Sequence, residues 1–169
     1  GLVGSEMCIR DSNTPYKELF FGQNFTMFFS YSLLHGNFFH MIVNVVILFA
    51  LGKQIEEQVG MINFILIFVS TAIIGAVAYQ ILASGNPAPM VGASGGVFGF
   101  FGFLKGKELF FRLKNHLTIL PFLNLVFGLV VLHIVLIILH PSIIPFQIGW
   151  HGHLGGFVFG VLLAGVIKE

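Results

Sequence analysis

The chain has 169 residues, of which 56% are apolar and only 9% charged, and 21 are phenylalanine. A soluble chain of this length could not hide that much apolar surface in one core, so the bilayer is its solvent. A formal net charge of +1 leaves no footprint for nucleic acid, and the single cysteine, Cys8, excludes an internal disulfide or a cysteine-built metal site.

Residues 1–12, Gly-Leu-Val-Gly-Ser-Glu-Met-Cys-Ile-Arg-Asp-Ser, differ in composition from everything after them. Met7 to Asp11 in particular resemble translated sequencing-adapter DNA, so this stretch is set aside from the fold. The fold is expected to occupy residues 13–169 and to lack its natural beginning. Residues 13–26, with Pro15, Lys17, Glu18 and Gly22, read as an interfacial loop with aromatic anchors.

The charge-free run that follows, residues 25–51, is longer than one span needs, and His35-Gly36-Asn37 interrupts it. With Asn37 as N-cap, a first helix is expected from Phe38 to about Glu57, where Lys53, Glu56 and Glu57 mark water. Residues 61–82 carry no charge and form the second helix. Gly85, Pro87 and Pro89 turn residues 83–90 into a loop.

A third helix is expected from Ser94, turning basic after Leu104 with Lys105, Lys107, Arg112 and Lys114. About eleven apolar residues cannot cross a core of about 30 Å at about 1.5 Å per residue, so its start is expected within the membrane. The loop before it then dips in, shielded by protein or by a watery cavity. Residues 117–139 make the fourth helix and residues 148–167 the fifth, separated by a loop with Pro141 and Pro145. If the spans alternate, Lys53, the basic cluster after Leu104 and Lys168 fall on one side, which the positive-inside bias makes cytoplasmic. Ser94 and His153 then face the exterior.

Ser94 lies among Gly92, Gly95 and Gly96, where backbone can approach a bound group closely and a helix N-terminus favours a developing oxyanion. Alone, these small residues fit a helix-packing face better. His151-Gly152-His153 near the C-terminus changes the balance. Gly152, Gly156 and Gly160 recur every four residues on the last helix, as Gly95 and Gly99 do on the third. Two such faces let helices approach closely, which makes contact between the Ser94 hydroxyl and the His153 imidazole sterically feasible. His40 and Asn44, four apart, share a face of the first helix and can donate hydrogen bonds, either to an oxyanion or as glue between helices.

These residues resemble the rhomboid family of intramembrane serine proteases. The likeness spans residues 25–167 and rests on His35-x4-His40-x3-Asn44, Gly92-x-Ser94-Gly95-x3-Gly99 and His153-Leu-Gly-Gly, in the family's order. It implies an all-α polytopic membrane protein, a rhomboid-like helical bundle with five of the usual six transmembrane helices, the absent one preceding Asn13. It implies Ser94 as nucleophile, His153 as general base and then acid, and His40, Asn44 and the Ser94 backbone N–H as oxyanion stabilisers. Gly92, Gly95, Phe98 and His35 would support the site, His35 from the loop entering the first helix. Phe98 stands where the family commonly has a tyrosine stacked beneath the histidine, and Thr26 and Met27 stand near its Trp-Arg pair.

The implied partners are single-span membrane substrates and the lipid bilayer, cut from the outer face of a bacterial plasma membrane. The sequence carries no signal for an oligomeric state. No Asp or Glu falls near the exterior helix ends to orient His153, so a serine–histidine dyad is expected. No metal or cofactor is expected: His151 has no accompanying carboxylate, and no His-Glu-x-x-His motif occurs. His133 reads as a packing or interhelical hydrogen-bonding residue, His116 as solvated, and His140 as an exterior-loop residue. Two rival classes are a silent rhomboid-like protein that binds membrane clients, and a small transporter whose polar groups would line a path across the bilayer.

Overall fold

A computed structural model describes residues 27–83, 90–139 and 149–167, and among these only helices form regular structure. The expectations for residues 1–26, for the loops at 84–89 and 140–148, and for Thr26, Cys8, Lys168 and His140 lie outside the described residues. A short helix α1 (Met27–Ser30) runs into a 3₁₀ turn (Tyr31–Leu33), followed by α2 (Phe38–Leu82), α3 (Ser94–Lys114), α4 (Leu120–Leu139) and α5 (Trp150–Val166).

Helix α2 is two arms joined at Gly60, whose φ of 79° and ψ of 164° leave the helical region. Glycine takes this conformation without the penalty a Cβ would bring, and the break separates the two spans expected from the sequence. Asn37 caps the first arm, its side chain accepting from the His40 N–H at 2.8 Å. Pro121 sits in the first turn of α4, where its missing N–H costs no helical bond. Helix α3 does not stop at the basic residues. It continues through them for 21 residues, about 31 Å at about 1.5 Å each, because Glu108 pairs with both Lys105 (3.1 Å) and Arg112 (3.0 Å) on one face. It ends with His116 at φ 55° and Leu117 N–H returning 2.8 Å to the Arg112 carbonyl, a Schellman closure.

Glycine decides how the bundle packs. A Cβ on Gly156 or Gly160 of α5 would run into the carbonyls of Gly95 or Gly99 of α3, and one on Gly102 into the Phe157 carbonyl. One on Gly75, in the second arm of α2, would stand 2.9 Å from the Gly152 carbonyl. The backbones of α3 and α5 therefore touch directly, and that of α2 reaches them at Gly75, while Thr71 and Phe68 of α2 fill the space left by Gly99 and Gly96, the small-residue packing that membrane helices use. Below the seam, buried Ile55, Ile67, Phe100, Phe103 and Ala164 form one core, and Phe28, Tyr31, Ala76 and Met90 form another at the opposite end.

Helix α4 is different: none of its residues is buried. Its less exposed positions, Phe122, Leu125, Val126, Leu129, His133 and Leu136, follow a single stripe that faces the bundle. Helices α2 and α4 are each long and apolar enough to cross a bilayer, and α5 is a shorter apolar helix.

Candidate functional site

Ser94 is the first residue of α3 and His153 stands in the first turn of α5. The glycine seam sets both helix starts at one level, and the Ser94 hydroxyl lies 2.8 Å from His153 Nε2. Both side chains are half-buried. Phe98, one turn below Ser94, lies flat against the His153 ring, with centroids 4.3 Å apart and planes 7° from parallel. The ring held in its expected place therefore needs no phenolic hydroxyl to stack.

The loop that delivers Ser94 is pinned from three directions. Gly92 N–H donates to the Tyr31 carbonyl at 3.0 Å, and Tyr31, fully buried, is itself fixed by its hydroxyl donating to the Ala72 carbonyl at 2.8 Å. Ala93 N–H points to His35 Nε2 at 3.5 Å. Burial holds the His35 imidazole below its ordinary value, against a backbone hydrogen bond at Leu33 that raises it. The neutral ring can accept at Nε2. Gly92 has a φ of 111°, and a Cβ there would meet the His40 ring at 2.6 Å, so only glycine brings His40 against the turn before the serine.

His40 and Asn44 are both buried, at 7% and 4% exposure, on an arm whose other residues between 38 and 47 are all exposed. Asn44 Nδ2 donates one hydrogen to the His40 carbonyl at 2.9 Å, and an amide nitrogen carries two. The rings of His40 and His35 meet edge to face at 5.2 Å. The structure thus gathers Ser94, His153, His40, Gly92, Gly95, Phe98 and His35 at one end of the bundle, with Asn44 one turn below His40.

His133 is where sequence reasoning fell short. Its interhelical hydrogen bond was anticipated, but not its partner: His133 Nε2 lies 3.0 Å from His153 Nδ1. Its own Nδ1 lies 2.8 Å from the Leu129 carbonyl, and its ring packs against Phe98 at 5.4 Å. The only available signal was one polar residue on the α4 stripe, and a uniformly apolar helix hides which stripe faces inward. His151 turns away from the site, stacked on Trp150 (3.8 Å) and edge-on to Tyr79 (5.8 Å).

Residues 22–169 match the Rhomboid domain family. The chain belongs to the rhomboid family. It is similar to the Rhomboid protease GluP of Bacillus subtilis, with 27% identity over 80% of this chain and 24% of that protein. It is similar as well to RHOMBOID-like protein 5 of Arabidopsis thaliana, 29% identical over 79% of this chain and 41% of the relative. A Mycobacterium tuberculosis protein, Rv1337, is 33% identical over 78% of this chain and 55% of its own length. The chain thus spans from about a quarter to about half the length of these relatives. This rhomboid is an integral membrane protein, an all-helical bundle of the rhomboid kind, related to proteins named as rhomboid proteases.

Proposed function

We propose that this rhomboid is a serine endopeptidase that cuts single-span membrane proteins in or beside their membrane segment. The observation that carries the proposal is the 2.8 Å contact between the Ser94 hydroxyl and His153 Nε2, the nucleophile–base geometry of acyl transfer.

In the proposed reaction the Ser94 proton passes to His153 Nε2 as Oγ bonds to the substrate carbonyl carbon. The resulting oxyanion sits at the N-terminus of α3, whose first N–H groups have no partner inside the helix. The Ser94 N–H, His40 and Asn44 stabilise it. His153 then returns the proton to the departing amine as the C–N bond breaks, which leaves an ester on Ser94. Water, deprotonated by His153, attacks the ester and releases a carboxylate, and Ser94 recovers its proton. Positioned proton transfer of this kind is worth about 10² to 10⁴ in rate. A helical substrate must unwind to present its carbonyl, so Gly or Pro near the cut favours cleavage.

The basic residues of α3 and Lys53 orient the protein with that end in the cytoplasm and the Ser94 end facing the periplasm or exterior of a bacterial plasma membrane. The test is cleavage of a single-span substrate by the full natural chain in liposomes. The wild type cuts and Ser94→Ala does not. Cutting that persists in Ser94→Ala overturns the assignment, and a wild type that holds the substrate without cutting it favours the client-binding alternative.

A further inference from the structure

We infer that His133 is a positioning residue for this reaction, holding His153 in the one tautomer whose Nε2 can take the Ser94 proton. The inference rests on the protease reading above, and its observation is the unbroken line from the Leu129 carbonyl through two imidazoles to the Ser94 hydroxyl.

The direction of each bond follows from its fixed end. A carbonyl oxygen only accepts, so the 2.8 Å contact places the His133 proton on Nδ1. A neutral imidazole with Nδ1–H has a lone pair on Nε2. That lone pair faces His153 Nδ1 at 3.0 Å, so His153 donates from Nδ1. His153 Nε2 is then the bare nitrogen, and it faces the Ser94 hydroxyl at 2.8 Å. The opposite tautomer of His153 would set two lone pairs against each other at His133, and its Nε2–H could only donate to the Ser94 oxygen, not take the serine proton.

The helix bearing His133 makes this arrangement more than incidental packing. Helix α4 buries none of its residues, yet His133 meets both the Nδ1 edge of His153 and Phe98, whose ring lies flat on a face of the same imidazole. The role is the one a carboxylate fills in three-residue serine hydrolase sites. Within a membrane a neutral acceptor avoids the desolvation cost of a buried charge. When His153 becomes an imidazolium, its bond from Nδ1–H to the His133 lone pair becomes charge-assisted and stronger.

The experiment compares wild type, His133→Phe and His133→Gln in the full natural chain. It measures the second-order rate of labelling by a fluorophosphonate, which reports serine activation without substrate gating, alongside ¹⁵N NMR of the histidine rings and thermal melting. Phenylalanine keeps the ring and removes the acceptor; glutamine restores an acceptor and a donor. The expected result is a rate for His133→Phe lower on the order of tenfold to a hundredfold, with an unchanged melting temperature. Glutamine should recover most of the rate, and His153 should be protonated at Nδ1 in the wild type and lose that fixed tautomer in His133→Phe. A His133→Phe rate equal to wild type, no recovery with glutamine, or a wild-type His153 protonated at Nε2 overturns the inference. A wild type that does not label strikes the protease reading instead, and the NMR tautomer still judges His133.

Discussion

Phe98 lies face to face with His153, 4.3 Å away and almost parallel, so the imidazole is held between a flat apolar ring and its two hydrogen-bond partners. Such aromatic pairs are worth about 0.5–1.5 kcal/mol beyond their buried area. Phe98→Ala should lower kcat about tenfold by letting the imidazole tilt, while Phe98→Tyr keeps activity near wild type. Steady-state kinetics on one substrate checks both.

The contact between α3 and α5 is set by backbone against backbone. Gly160→Ala puts a methyl group into the Gly99 carbonyl, and overpacking of this kind costs about 1–3 kcal/mol. Gly128 of α4 has nothing within 4 Å of a Cβ, so Gly128→Ala should be neutral or gain up to about 1 kcal/mol of helix propensity. Melting temperatures in one detergent should fall for the first variant and hold or rise for the second. Gly156→Ala, closer to His153, should lose activity as well as stability.

Asn44 is buried one turn below His40 with one amide hydrogen committed to the helix. If the other serves the oxyanion, Asn44→Ala should cut kcat by about 10² to 10³, with KM little changed and fluorophosphonate labelling slowed in parallel. A loss confined to KM would assign Asn44 to substrate binding.

His35 gives a dependence on pH whose sign is fixed. Burial holds its folded-state value below the ordinary one, so the unfolded chain takes up a proton first as pH falls. The stability linked to neutral His35 is present above the ordinary histidine value and is lost as pH drops through it toward the lowered one. Protonation also removes the lone pair that faces Ala93 N–H. Melting temperature should therefore decline from about pH 8 to about pH 5, and the decline should be shallower in His35→Gln.

Much of this architecture was legible in the sequence, because interruptions in an apolar chain are conspicuous. Asn37, the charges at Lys53, Glu56 and Glu57, and the glycines at 95, 99, 152, 156 and 160 announced a cap, a break and a seam. The structure puts the cap at Asn37, the break just beyond those charges at Gly60, and the seam at these glycines. The extent of α3 was not legible, since its charges read as an end until Glu108 is seen pairing Lys105 with Arg112. Tyr31 was missed because a tyrosine among phenylalanines gives no sign that its carbonyl and hydroxyl hold two distant segments. The partner of His133 escaped because helix α4 is apolar on every face, so periodicity cannot say which side meets the bundle.

The most direct measurement is mass spectrometric mapping of the protein after reaction with a fluorophosphonate. A single adduct on Ser94, absent from Ser94→Ala and strongly reduced in His153→Ala, is the predicted result. An unlabelled wild type, or a label that survives in Ser94→Ala, would contradict the claim that this hydroxyl is activated by that imidazole.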